Sequence, residues 1–318
     1  MTILHVVLGL NECTNGIAVA AKLIAKEQNA DLIDAYDFVH MKCALSRYDE
    51  VWVHSAWHPI VLLSCRLVLK SGKSLVRMSH ANYDPLRLAY HAWKKRLVSM
   101  VDRYYLRKCD KIVATCEAEK GWIEEYLSKC CPKVEVTDMK RFFSLGDRSR
   151  ELGVSEGLSR KERKEDERNG SKQETGNKKL NLLYLGRRHP LKGVEYLEAA
   201  VSELNSSNPP LPTPPLLKIV SNAFGEEKEK VWDWCDVLVL PTLSENFGLV
   251  VAEALERGKR VITTDGAPVW NPGDRGQELG VSVGCDGRLL YLNGYRDGTK
   301  EKRVELLKKA IEGLGGSR

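Results

Sequence analysis

Two glutamates eight positions apart, in the stretch SENFGLVVAEALERG (residues 244–258), hold the chemistry most open to reading in this chain. Glu245 falls in a polar loop, and Glu253 lies roughly two turns along the helical pattern that follows. Backbone N–H groups after Glu245, at the start of that helix, could cradle a phosphate, and the two acids could accept hydrogen bonds from hydroxyls. Acids also favour the positive end of a helix without any ligand, and spacing alone does not separate the two readings. Three other stretches offer groups of a similar kind. In GLNECTNGIA, Gly16 opens a helix at a point where backbone could approach a ligand closely. RMSHANYDP puts His80 on the loop after an apolar run, where a lone histidine is more often structural. YLGRRHPLKGVEYL sets Arg187 and Lys192 beside a helix start, where they could neutralise a diphosphate or merely form a solvated basic loop.

All four stretches ask for the same scaffold. DVLVLPT (236–242) is a Val/Leu run stopped by Pro241, GLVVAEALERG is helical as far as Gly258, and RVITTDG is another buried run. That order is one βαβ crossover. Earlier, ILHVVLG, VWVH (51–54), SLVRMS and KIVAT (111–115) alternate with helical patterns at 17–28, 59–70, 85–108 and 117–128. Strands alternating with helices mean a parallel sheet, with ligands bound outside the carboxyl ends of its strands. A second series begins at LNLLYLG (180–186). The expected class is α/β, two Rossmann-like parallel-sheet domains facing across a cleft, spanning 1–145 and 180–318. Between them, 146–179 is charge-rich and almost without large apolar residues, and reads as a flexible linker or loop. The proline-rich NSSNPPLPTPP (205–215) interrupts the second series, and a last amphipathic helix at about 299–313 could pack back on the first domain.

A length of 318 residues gives room for two domains, and a net charge of +6 suits a phosphate-bearing partner or an anionic membrane surface. The basic residues form no recognisable nucleic-acid module, which disfavours that class of partner. Nine scattered cysteines without a CxxC pair fit reduced thiols rather than a disulfide framework or a zinc site. MTILHVVLGL lacks a basic n-region and a small-residue cleavage site, and no run reaches transmembrane length, so a cytoplasmic protein is expected.

GRRHPLKG, followed some fifty residues later by VLVLPTLSENFGLVVAEALERGKRVITTDGAPVW, resembles the retaining glycosyltransferases of family 4, which have the GT-B fold. Their mark is two glutamates with seven residues between, and Glu245 and Glu253 fit it. SHANYDPLRLAYHAWKKRL and RYYLRKCDKIVATCEAE resemble the acceptor-domain run of that family more loosely. The resemblance implies transfer of a sugar from a UDP- or GDP-linked donor to an acceptor hydroxyl, with retention of configuration, no cofactor and no metal. It implies Arg187, Lys192 and the N–H groups around Asn246, Phe247, Gly248 and Leu249 at the diphosphate, with Gly16 near it. Glu253 would take the ribose hydroxyls, Glu245 the donor sugar or the charge at its anomeric carbon, and His80 would stand near the donor sugar. The acceptor would be a sugar or a lipid-linked one, in cell-surface polysaccharide, lipopolysaccharide or glycolipid synthesis, and the cation- and aromatic-rich LAYHAWKKRLVSMVDRYYLRK could touch an anionic bilayer. A half-buried helix with a solvated basic face explains that stretch equally well. A phosphorylase on the same fold and a non-catalytic sugar-nucleotide binder are the alternatives. Ala81 departs from the glycine usual after the histidine, and a strand and helix normally found before the LPT strand are absent before Gly225.

Overall fold

The strands that form are those whose residues can be buried on both faces. In the computed structural model β1 (Ile3–Val7), β3 (Glu50–His54), β4 (Ser74–Met78), β7 (Asn181–Leu185) and β10 (Arg260–Thr264) each expose part of their first residue and bury the next four. That is the pattern of parallel strands covered by helices on both sides. The structure describes residues 1–12, 16–90, 92–128, 132–142, 179–207, 214–221, 223–273, 280–284 and 287–316. Residues 146–178 of the expected linker therefore lie outside the described residues.

By their contacts the residues form two compact units. The first comprises Met1–Ser144 with Ser244–Leu249 and Ala267–Val269; the second comprises Leu145–Leu243, Val250–Gly266 and Trp270–Arg318. The apolar pattern assigns all of 180–318 to the second domain, whereas the contacts give the loop of Glu245 to the first unit.

The first unit holds a six-stranded, wholly parallel sheet in the order β2-β1-β3-β4-β5-β6. Here β2 is Asp31–Asp34, β5 Lys111–Ala114 and β6 Lys133–Val136. Its helices are α1 (Gly16–Gln28), α2 (Phe38–Ala44), α3 (Pro59–Lys70), α4 (Pro85–Ala89), α5 (Ala92–Lys108) and α6 (Glu117–Tyr126). Leu4, Val6, Val51, Val53, Leu75 and Ile112 make the core beneath them, each at most 2 % exposed. The strand order reverses between β1 and β3, which makes the loop ahead of Gly16 a switch-point loop.

The second unit has a six-stranded sheet in the order β11-β12-β10-β9-β7-β8, parallel except for the antiparallel edge pair β11 and β12. Its remaining strands are β8 (Leu216–Val220), β9 (Val237–Val239), β11 (Val281–Val283) and β12 (Leu289–Leu292). Its helices are α7 (Val194–Asn205), α8 (Gly225–Trp234), α9 (Leu249–Glu256), whose first residue counts with the first unit, and α10 (Lys300–Gly316). The order reverses between β7 and β9, so the loop of Arg187 and Lys192 follows one switch-point strand and the loop of Glu245 the other. The chain passes from β8 to β9 through α8 alone, as the missing strand and helix led one to expect.

The final helix, α10, lies on α7, with Lys308 3.0 Å from Glu203 and Arg303 donating to the Tyr196 hydroxyl at 2.9 Å.

Candidate active site

Three polar residues interrupt the apolar strands of the first unit: His5 in β1, and His54 and Arg77 in β3 and β4. All three are fully buried. A buried polar group without a partner would be costly, and the histidines solve this together. His5 Nδ1 lies 2.8 Å from His54 Nε2, and His54 Nδ1 lies 2.8 Å from His80 Nε2, on the loop after β4. At one end His5 Nε2 meets Gln28 Oε1 at 2.8 Å; at the other His80 Nδ1 meets the side-chain amide nitrogen of Asn246 at 3.1 Å. The amide nitrogen donates only and the amide oxygen accepts only. The two ends therefore fix one direction: Asn246 donates to His80, His80 to His54, His54 to His5, and His5 to Gln28. Every ring is neutral with its proton on Nε2. Burial drives this, lowering His5 to about 4, His80 to about 3 and His54 well below its ordinary value. The rings also stack on one another, with centroids 5.1 Å apart.

His80 and Ala81 both lie in the left-handed backbone region, at φ 55° and 58°. This is where a glycine would be favoured, and the departure at Ala81 falls on one of these residues. Glu119, fully buried on α6, holds the strained turn in place. Its carboxylate accepts from the Ser79 hydroxyl at 2.5 Å and the Ala81 N–H on one oxygen. The other oxygen takes the Thr115 N–H at 2.7 Å and the Thr115 hydroxyl at 2.6 Å. Thr115 Oγ1 is also 3.2 Å from Asn246 Oδ1. Asp84 caps α4 through the Leu86 N–H and accepts from the Ser244 hydroxyl at 2.6 Å, and Arg87 Nε donates to the same hydroxyl at 2.9 Å. Glu245 thus stands between two anchored residues, Ser244 and Asn246, with its Oε1 accepting from the Asn246 N–H at 3.0 Å. Phe247 is buried at 2 % exposure, Gly248 takes φ 70°, and Leu249 begins α9. Leu249 Cδ1 comes within ordinary contact range of Gly16, the first residue of α1.

The second unit arranges its groups differently. Arg187 is exposed after β7, and its carbonyl accepts from the Tyr184 hydroxyl at 2.8 Å. Lys192 is half-buried and closes a short 3-10 turn, Pro190–Lys192. Gly193 follows at φ 61°, and a methyl group there would strike the Pro241 carbonyl oxygen, so only glycine fits. The Leu191 carbonyl accepts from the Leu243 N–H at 2.9 Å and the Thr242 hydroxyl at 3.0 Å. The loops after β7 and β9 are thereby tied together. On α9, Glu253 lies 2.7 Å from Lys228 Nζ, both side chains about four-fifths buried.

Of the residues expected at the site, His80, Gly16, Glu245, Asn246, Phe247, Gly248 and Leu249 fall in the first unit, and Arg187, Lys192 and Glu253 in the second. His80 differs from expectation in one respect: its ring is fully buried and both nitrogens are engaged within the protein. Its side chain orients Asn246. His5, His54, Asp84, Arg87, Thr115, Glu119 and Ser244 were missed. A single polar letter inside an otherwise apolar strand was the available signal for His5 and His54.

No family model matches the sequence, and no curated protein does. Solved structures do. Sucrose-phosphate synthase from Thermosynechococcus elongatus matches with a TM-score of 0.59 and 13 % identity, over 99 % of this chain and 92 % of that one. Trehalose-6-phosphate synthase from E. coli, bound with UDP-2-fluoro glucose, matches with a TM-score of 0.56 and 12 % identity, over 98 % and 96 %. HepE from Anabaena, in complex with UDP-glucose, matches with a TM-score of 0.52 and 15 % identity, over 99 % and 90 %. The fold is GT-B. At these identities the likeness carries the GT-B architecture and leaves activity to the residues. Among the described residues, no group of three His, Cys, Asp or Glu side chains could hold a metal ion.

Proposed function

We propose that this GT-B chain is a retaining glycosyltransferase of the family 4 type, moving a hexosyl group from a nucleoside-diphosphate sugar to an acceptor hydroxyl without a metal. The observation that carries the reading is the locked Glu245 loop. Ser244 is held by Asp84 and Arg87, and Asn246 by His80, so the backbone that carries a carboxylate at a switch-point strand end is anchored on both sides. Glu245 would align the donor sugar and stabilise positive charge at its anomeric carbon. Departure of the nucleoside diphosphate puts negative charge on oxygen. Arg187, Lys192 and the N–H groups from Asn246 to Leu249 would stabilise that charge as it develops, with Gly16 leaving room for the phosphates. Glu253 keeps acceptor capacity beside Lys228 and would bind the ribose hydroxyls. A uridine diphosphate donor is favoured by analogy with the HepE and trehalose-6-phosphate synthase complexes; a guanosine donor is the other arm of the test. The acceptor would be a sugar or lipid-linked hydroxyl at an anionic membrane surface, in the synthesis of surface polysaccharide or glycolipid.

The test is release of nucleoside diphosphate from a panel of UDP- and GDP-sugars. Glu245→Gln should lower kcat more than it raises KM, because its contact strengthens in the transition state. Glu253→Gln should chiefly raise KM, about tenfold, because the ribose contact is alike in both states. Donor binding without turnover would return the chain to the non-catalytic reading, and phosphate-dependent cleavage of a glycoside would make it a phosphorylase.

A further inference from the structure

Helix α5 turns its more apolar face away from the protein. At about 100° per residue, Trp93, Leu97, Met100 and Tyr104 share one stripe, and they are exposed by 66, 74, 78 and 56 %. The opposite stripe carries Asp102, which is fully buried. A helix packed only to remove apolar surface from water would be rotated the other way. What holds this rotation is a buried polar clamp. Asp102 Oδ2 accepts from the Tyr83 hydroxyl at 2.8 Å and Oδ1 lies 3.4 Å from Arg77 Nη2, which also donates to the Ser55 carbonyl at 3.0 Å. A buried ion pair adds little net stability over an apolar alternative. It does fix which side of α5 faces out.

The outward side also has one sign of charge. The six cations of α5 include Arg96, Arg107 and Lys108, which flank the apolar stripe and are exposed, whereas its one acid is the buried Asp102. We propose that this face of α5 docks flat on an anionic lipid surface, with Trp93, Leu97, Met100 and Tyr104 entering the headgroup boundary and the flanking cations meeting lipid phosphates. An amphipathic helix with aromatics at the interface and Lys/Arg at its margins has the chemistry for that surface. The 17-residue helix would lie in the plane over about 25 Å. Among the described residues no helix is long and apolar enough to cross a membrane, and the proposal requires none. It deepens the proposed function by giving the acceptor a lipid anchor, and rests on that reading for the acceptor alone.

The experiment is co-sedimentation of the full chain with vesicles of phosphatidylcholine, alone or with about one-third phosphatidylglycerol, in the absence of donor. Binding is expected only to the anionic vesicles and should weaken as salt is raised. The triple variant Trp93→Ser/Leu97→Ser/Met100→Ser should bind at least about tenfold more weakly, with an unchanged Tm. Arg96→Glu/Arg107→Glu/Lys108→Glu should lose binding by the other route. Wild-type protein that ignores both vesicle types, or variants that bind as the wild type does, would overturn the proposal. So would a dimer, seen by light scattering, that the triple variant dissolves, because a second copy would then cover the stripe. Donor turnover is measured separately without vesicles: its absence alongside normal vesicle binding would sink the proposed function and leave the docking face standing.

Discussion

In the first unit the polar groups around Asn246 are buried and matched to one another, while in the second Arg187 stands exposed and Glu253 shares a short ion pair with Lys228. The first arrangement is built for position, since its imidazoles and Asn246 are linked donor to acceptor and a change at one group is felt at the next. The second is built for charge, which acts over several ångströms and tolerates movement of its carriers. The function proposed above, aligning a sugar and neutralising a diphosphate, would have a use for both. The contrast says which residues should fail by unfolding and which by losing turnover.

The sharpest way to break it is acid. His5, His54 and His80 are neutral in the folded chain and protonated when unfolded below their ordinary value of 6.5, so the unfolded state binds more protons. Stability therefore falls as pH drops through 6.5, by up to about 1.4 kcal/mol per pH unit for each ring. The loss levels off near 4 for His5 and near 3 for His80. Asp102, whose carboxyl is pushed up by burial, opposes this at the acid end. Hydrogen exchange between pH 7 and about 4.5 should show β1, β3 and β4 opening before β7 and β10. Simultaneous loss in both units, or loss in the second first, would erase the distinction.

Next in size is the loss of a cation. Arg187→Ala or Lys192→Ala should lower turnover by about two to three orders of magnitude, the effect of removing one charge-stabilising contact worth about 3–4 kcal/mol. Melting temperature should hardly move for Arg187→Ala, because the guanidinium is exposed. Steady-state kinetics with a thermal melt on the same preparations checks both halves. Normal turnover in both variants would remove these cations from the site.

The smallest effect concerns Ala81. Replacing it with glycine relieves about 1–2 kcal/mol of left-handed strain, but gives up about 0.5–1 kcal/mol in backbone entropy and about 0.8 kcal/mol from a buried methyl. Ala81→Gly should therefore stay within about 1 kcal/mol of the wild type by denaturant unfolding. A larger loss would mean that the methyl packing, at 2 % exposure, matters more than the turn.

The buried parallel strands were legible because their apolar runs are continuous, and β1, β3, β4, β5, β7, β9 and β10 lie where the runs predict. The edge strands β2 (DLID) and β6 (KVEV) were not, because charged residues flank or separate their apolar ones and break the run. The edge pair β11 and β12 falls after the last matched motif. At the site, Glu245, Gly16 and the two cations were readable from strand-end position. The partners of His80 were not, because His5, His54 and Asn246 come from segments up to 241 residues apart and meet only through strand order. Helix α5 was visible as a helix with cations and aromatics. Its outward face depended on Asp102 finding Arg77, a pairing no local pattern announces.

The one-way chain of imidazoles has a consequence for how this sequence can drift. Substitution at His54 alone would leave an accepting nitrogen on His5 and a donating N–H on His80 facing an inert side chain, and reversing a neighbour's tautomer would only pass the mismatch along to Gln28 or Asn246. The three codons behave as one character. Related chains should carry all three histidines or none, and any lineage that loses one must cross a valley of unstable intermediates unless an apolar replacement sweeps the whole stack.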